Sequence, residues 1–125
     1  MTYILIVEDD HSIQLMVRRK LENSQISYPI RGYTNGAEGL QAAMENRPQL
    51  ALLDVALPHV SGLEICRAIK DRYGENAPPV ILISAYGQAE HVKAGEDAGA
   101  DDYIIKPFSP RDLLDVVLSH LAAGG

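Results

Sequence analysis

The chain has 125 residues, a length typical of one domain. Hydrophobic residues make up 46% and charged residues 22%, as is ordinary for globular proteins, and no apolar run approaches the ~20 residues that a membrane helix needs. Eleven Lys and Arg against 17 Asp and Glu give a formal charge of −6, which argues against a nucleic-acid-binding module and against binding to an anionic membrane. A single Cys excludes an internal disulfide framework, and MTYILIVEDD lacks the basic region of a signal peptide, so we expect a cytoplasmic protein.

Short apolar runs alternate with segments of helical spacing along the chain. In order, the predicted strands are 3–7, a weaker run at 28–33, 50–53, 80–83 and 103–105. Helical stripes follow each strand: Ile13, Met16, Val17 and Leu21; Leu40, Ala43 and Met44; Leu63, Cys66, Ile69 and Tyr73; a segment of mainly small residues at 88–98; and Leu113, Leu114, Val117, Leu118 and Leu121. Strands without polar alternation favour a parallel sheet buried on both faces, with helices on each side. The small residues of the fourth helix predict loose packing there.

Local signals predict where several helices begin and end. Ser61 and Glu64 have the spacing of a capping box. Pro110 falls at the first helical position after Ser109, where its missing N–H costs nothing. Gly99 is placed to take the left-handed conformation that ends the fourth helix.

Polar residues follow four of the predicted strands. Glu8 and Asp9 follow the first, Asp54 ends the third, Ser84 ends the fourth and Lys106 follows the fifth. In a parallel sheet these strand ends form the ligand-binding edge. Clustered carboxylates need a cation or a proton, and hard oxygen ligands favour Mg²⁺ or Mn²⁺. Acids that could bind a metal, together with a lysine and a hydroxyl, indicate phosphoryl transfer. The sequence has no Gly-rich phosphate-binding loop, so it does not indicate a nucleotide ligand.

Six motifs occur in order over essentially the whole chain: VEDD at 7–10, LLDVALP at 52–58, SGLE at 61–64, ISA at 83–85, AGADDYIIKPF at 98–108 and SPRDL at 109–113. In this order and spacing the chain resembles the response-regulator receiver domains of two-component signalling, of the stand-alone chemotaxis-regulator type. The resemblance implies a flavodoxin-like α/β fold, a doubly wound (βα)5 sheet with strand order 2-1-3-4-5. It also implies a receiver domain over residues 1–121, with 122–125 as a tail or the start of a linker.

The resemblance implies a phosphoacceptor and a metal site. Asp54 would accept a phosphoryl group from the phosphohistidine of a sensor histidine kinase or phosphotransfer protein. Mg²⁺, or Mn²⁺, would be bound directly by Asp9, Asp54 and the backbone carbonyl of Ala56, and through water by Glu8. Such a domain is a signalling phosphoacceptor that catalyses only its own phosphotransfer and autodephosphorylation.

The resemblance also implies roles for the residues around the phosphoacceptor. Lys106 would pair with Asp54 at rest and with phosphate afterwards, and Ser84 would donate a hydrogen bond to a phosphoryl oxygen. Tyr103 would turn inward and couple the site to the face made by the fourth helix, fifth strand and fifth helix. The bond from Lys106 to Pro107 is typically cis in this family. The signal would pass to a downstream output domain or target protein, from a monomer or a phosphorylation-dependent dimer.

Three alternative functions would require other residues at these positions. A pseudo-receiver, which acts as an interaction module without phosphorylation, would lack the Asp, the Lys or the acidic pair, and none is lost here. A haloacid-dehalogenase-type phosphatase would carry a DxDx[TV] motif after its first strand, whereas Asp54 is followed by Val55 and Ala56. A flavin binder would carry a Ser/Thr/Gly-rich first loop in place of Glu8, Asp9 and Asp10.

Several residues have simpler interpretations or mark departures from the family. We expect Asp10 to be a helix N-cap, Cys66 to be a buried small hydrophobe, and the histidines at 11, 59, 91 and 120 to be solvated. Tyr86, two positions after Ser84, is placed to shield a phosphoryl group from water. The winged-helix branch usually carries a basic residue near Val116 for a symmetric dimer, and its absence here argues against that dimer.

Overall fold

The structure is a computed structural model and describes residues 2–124. Five strands alternate with five helices. They are β1 (Ile4–Val7), α1 (His11–Glu22), β2 (Ile30–Tyr33), α2 (Gly36–Glu45), β3 (Leu50–Asp54), α3 (Gly62–Tyr73), β4 (Val80–Ser84), α4 (Ala89–Asp97), β5 (Asp102–Ile105) and α5 (Pro110–Gly124). A short 3-10 turn, Gly74–Asn76, follows α3. The predicted alternation is confirmed, with bounds that differ by a residue or two.

The five strands form one parallel sheet in the order β2-β1-β3-β4-β5, which confirms the predicted fold class. The central strands β3 and β4 are buried along their whole length. Val7 lies opposite Leu53 and Asp54 lies opposite Ile83. This register brings the carboxyl ends of β1, β3 and β4 to the same edge, where the polar residues leave the strands.

Two hydrophobic cores lie on opposite faces of the sheet. One core packs α1 and α5 against it, through residues such as Val17 and Val117. The other packs α2, α3 and the end of α4, through residues such as Ala43 and Ile69. Among the described residues of α4, Gly95 is the buried one, so this helix packs loosely as its small residues predict.

The local capping signals are found in the structure. The side chain of Asp10 accepts hydrogen bonds from the N–H groups of Ser12 and Ile13, and Ser61 accepts one from the N–H of Glu64. Such caps contribute ~1 kcal/mol each to helix stability. Gly99 has a φ of 95°, in the left-handed region that glycine tolerates best.

The last helix continues through residue 124, so three of the four residues predicted as a tail are helical. Gly125 lies outside the described residues. Within residues 2–124, every helix is either too short or too polar to span a bilayer.

Replacement of a leucine in the sheet should cost far more stability than replacement of one on a helix surface. Leu52 of β3 is fully buried, whereas Leu15 of α1 is 48% exposed. We expect Leu52→Ala to lower the free energy of unfolding by ~3 kcal/mol, because it leaves a cavity in the core. Leu15→Ala should change it by less than ~0.5 kcal/mol. Urea denaturation of both variants measures this, and similar losses in both would contradict the assigned burial.

Candidate functional site

Three carboxylates meet at the carboxyl edge of the sheet. Glu8 and Asp9 follow β1 and Asp54 ends β3, and each has an oxygen within 4.8 Å of the other two. Glu8 and Asp54 are only 2% and 4% exposed, whereas Asp9 faces solvent. Adjacent parallel strands therefore place acids 45 positions apart in sequence into a single cluster.

The ammonium group of Lys106 lies between the two buried acids. Its Nζ is 2.9 Å from Oε1 of Glu8, and it donates a hydrogen bond of 3.2 Å to Oδ2 of Asp54. Lys106 follows β5, so its side chain reaches past β4 to β3 and β1. One positive charge thus partly offsets two buried negative charges.

The electrostatics of the site shift two pKa values. Burial raises the pKa of Glu8 from its usual 4.5 to about 7, an effect opposed by the Lys106 ammonium and by the hydrogen bond from the Asp10 N–H, and reinforced by the charge of Asp54. Burial alone would lower the pKa of Lys106, but its ion pair with Glu8 and the charge of Asp54 outweigh this and raise that pKa. Lys106 therefore keeps its charge, and Glu8 exchanges a proton near neutral pH.

The donor atoms fit a small divalent cation. The Oε1 of Glu8 is buried and, within residues 2–124, accepts no well-aligned hydrogen bond although an ammonium lies nearby. The carboxylates of Asp9 and Asp54 supply the hard oxygens that Mg²⁺ prefers. The chain turns at Ala56, whose N–H donates to Oδ1 of Asp54, so its backbone stays beside the cluster.

Hydroxyl groups lie on the β4 side of the acids. Ser84 is 1% exposed, and its Oγ accepts a 3.0 Å hydrogen bond from the N–H of Tyr86. The half-buried Tyr103 donates from its hydroxyl to the carbonyl of Tyr86, at 2.7 Å. Tyr86 thus joins Ser84 to Tyr103 through its backbone. The peptide bond between Lys106 and Pro107 is cis, as the resemblance implies.

Residues 4–118 match the family model of the response regulator receiver domain. The response regulator ArlR of Staphylococcus saprophyticus is 41% identical over 114 residues, which are 91% of this chain and 50% of that protein. A CheY-like response regulator receiver domain protein from Methanospirillum hungatei superimposes with a TM-score of 0.84 and 36% identity, covering 99% of this chain and 96% of that one. The BeF3-activated receiver domain of DrrB, a Thermotoga maritima protein, superimposes with a TM-score of 0.85 and 36% identity. That match covers 98% of this chain and 99% of the DrrB domain.

This chain belongs to the response-regulator receiver family. It spans about half the length of the curated relatives it matches, so its similarity to them concerns that half and not the rest of their length. In the structure of this receiver, Glu8, Asp9 and Asp54 lie beside Lys106 at one edge of the sheet.

Five further residues of the receiver lie outside the acidic cluster. Asp10 caps α1, and Cys66 is fully buried, with burial raising the pKa of its thiol to about 11. His11 and His59 are exposed, as expected. The expectation of a solvated His120 is wrong, because its Nε2 lies 3.0 Å from Oδ2 of Asp102 and its side chain is only 23% exposed.

Sequence analysis missed two hydrogen-bonded contacts beside the receiver site. The amide of Gln14 on α1 bonds the carbonyls of Glu8 and Tyr33, and the backbone of Tyr86 bonds Ser84 and Tyr103. The one sequence feature that points to Gln14 is its polar side chain next to Ile13, which belongs to the apolar stripe of α1. The Tyr86 contacts leave none, because any residue supplies a backbone N–H and carbonyl.

The shifted pKa of Glu8 predicts a pH-dependent stability in the absence of divalent cations. Since the folded state holds the Glu8 proton more tightly than the unfolded state, this contribution is fully present below about pH 4.5 and is lost as the pH rises through about 7. Relative to Glu8→Gln, the wild type should lose roughly 3 kcal/mol of unfolding free energy over this range.

Urea denaturation in EDTA across a pH series measures that difference. Glu75→Gln, which alters an exposed carboxylate, is the matched control. A difference between the wild type and Glu8→Gln that stays constant with pH would contradict the expectation.

Proposed function

We propose that the chain is an active phosphoacceptor, which takes a phosphoryl group from a phosphohistidine onto Asp54 in a Mg²⁺-dependent reaction. The observation that carries this proposal is the buried Asp54 carboxylate held beside Glu8, Asp9 and the Lys106 ammonium. Three carboxylates share a single ammonium, so the cluster keeps an excess of negative charge that a cation would offset, and the donor atoms suit Mg²⁺.

The proposed step is an attack by a carboxylate oxygen of Asp54 on phosphorus. The new O–P bond forms as the N–P bond of the phosphohistidine breaks, and the bonding pair leaves with the imidazole nitrogen. Lys106 supplies a fixed positive charge for the phosphoryl oxygens, and Ser84 has a hydroxyl to donate to one of them. Bound by Asp9, Asp54 and the Ala56 carbonyl, Mg²⁺ would neutralise charge on the transferred group.

Autodephosphorylation completes the proposed cycle. A water oxygen attacks phosphorus, the bond from phosphorus to the Asp54 oxygen breaks, and inorganic phosphate and the free carboxylate are released. The phosphoryl lifetime then depends on how freely water approaches the site. Tyr86 follows Ser84 by two positions and is 50% exposed, with its ring stacked on that of His91 at a centroid distance of 5.0 Å.

The proposed output is a change of the face made by α4, β5 and α5. If the Ser84 hydroxyl turns to a phosphoryl oxygen, the loop at Tyr86 moves with it, and Tyr103 is bonded to that loop. A Cβ on Gly95 would lie 3.0 Å from the ring of Tyr103, so α4 has little room to spare above this ring. The face is therefore sensitive to small shifts of the tyrosine.

The proposed partners are a sensor histidine kinase or phosphotransfer protein upstream and an output domain or target protein downstream. Relatives such as ArlR are named as response regulators and are about twice as long as this chain. Asp102 is bonded to His120 of the same chain, and α5 has Asp115 and Val116 where the winged-helix branch usually carries a basic residue. We therefore do not expect that branch's symmetric dimer.

Asp54→Asn should abolish phosphorylation because the amide is not a nucleophile for phosphorus. The wild type, incubated with acetyl phosphate and Mg²⁺, should gain one hydroxylamine-sensitive phosphoryl group, detected by intact mass spectrometry. EDTA should prevent this gain. Asp71→Asn, which changes an exposed aspartate of α3, should be phosphorylated like the wild type.

The same samples distinguish the proposal from a phosphorylation-independent receiver. A wild type that gains no phosphoryl group and shows no spectral change with beryllofluoride would overturn the phosphoacceptor function. Phosphorylation of Asp54→Asn at the wild-type rate would overturn the assignment of the residue.

Tyr86→Ala should shorten the lifetime of the phosphorylated protein, because it opens the rim of the site to water. We expect a severalfold faster loss of the phosphoryl group once acetyl phosphate is removed. The release of inorganic phosphate over time measures this loss. Tyr86→Phe keeps the ring that stacks on His91 and should retain the wild-type lifetime. An unchanged half-life in Tyr86→Ala shows that the shielding idea is wrong.

A further inference from the structure

The side chain of Gln14 lies across the carboxyl ends of β1 and β2. Its Nε2 donates a 3.1 Å hydrogen bond to the carbonyl of Glu8 and a 2.9 Å hydrogen bond to the carbonyl of Tyr33. The Tyr33 carbonyl also accepts the N–H of Glu8, at 3.0 Å. Both peptide groups that flank Glu8 are therefore held, one by the neighbouring strand and the other by Gln14.

The second of these peptide groups joins Glu8 to Asp9. Its carbonyl and the N–H of Asp9 share one plane, so a hydrogen bond to the carbonyl restricts the rotation of both residues. Asp9 is exposed, so packing does little to hold its carboxylate near Asp54. We propose that Gln14 is a positioning residue, which fixes the Glu8–Asp9 peptide so that both acids face one cation. This inference rests on the proposed Mg²⁺-dependent function.

Gly32 on β2 makes room for this arrangement. A Cβ at Gly32 would lie 2.3 Å from Oε1 of Gln14, closer than the two atoms can approach. Gly32→Ala should therefore displace the amide without removing its donors. It gives a second, independent way to disturb the same hydrogen bonds.

Arg18 provides a matched control one turn further along α1. Its guanidinium donates a 2.9 Å hydrogen bond to the carbonyl of Ile30, which ties the same helix to the beginning of the same strand. The link lies at the opposite end of β2 from the acids. Arg18→Met therefore loosens the contact between α1 and β2 while leaving the Glu8–Asp9 peptide held.

The test measures Mg²⁺ binding by calorimetry and the Mg²⁺ dependence of phosphorylation by acetyl phosphate. Gln14→Met keeps the side-chain length and removes the donors, so its Mg²⁺ dissociation constant should rise roughly tenfold, as for other residues that orient metal ligands. Gly32→Ala should shift it in the same direction. The phosphorylation rate at saturating Mg²⁺ should stay within about twofold of the wild type, because Asp54 and Lys106 are untouched.

Unfolding of the Mg²⁺-free proteins separates positioning from general loosening. Arg18→Met should lower the unfolding free energy and leave Mg²⁺ affinity unchanged. Wild-type affinity in both Gln14→Met and Gly32→Ala, or an equal loss of affinity in Arg18→Met, would overturn the role of Gln14. A wild type that binds no Mg²⁺ and is not phosphorylated would overturn this role and the proposed function together.

Discussion

The ammonium of Lys106 is the group on which the site depends. It lies within 3.2 Å of Asp54 and 2.9 Å of Glu8, two carboxylates that are almost fully removed from water. Without it, two like charges would share a low-dielectric pocket, and at least one would be forced to take up a proton. The sheet order makes this contact possible, because it places β3 between β1 and β4 and leaves β5 within reach of a long side chain.

Much of this arrangement could be predicted from the sequence, for identifiable physical reasons. Continuous apolar runs mark strands buried on both faces, and the parallel connection of five such strands sends every carboxyl end to one edge. The positions of Glu8, Asp54, Ser84 and Lys106 at those ends follow from that rule. The apolar run that predicts β2 is the weakest of the five, because this strand lies at the sheet edge, where three of its four residues are only half-buried.

The remaining features could not be predicted, because they depend on backbone atoms and on the rotation of helices. The links from Tyr86 to Ser84 and Tyr103 use a backbone N–H and carbonyl, which every residue type except proline supplies. The contact of His120 with Asp102 depends on how α5 is rotated against β5, and polar spacing alone does not specify this. The contacts of Gln14 depend in the same way on how α1 is rotated against β1 and β2. The residue pattern of α1 predicts its apolar stripe but not the partners of its polar side chains.

The site is assembled from β1, β3, β4 and β5, so it draws on nearly the whole length of the chain. Detachment of β5 and α5 would remove Lys106 and leave Glu8 and Asp54 facing each other. Opening of this terminal unit therefore carries an electrostatic cost in addition to its lost burial, which pushes partially open states up in free energy. The same charges that suit the site to chemistry also make the terminal unit fold cooperatively with the rest of the domain.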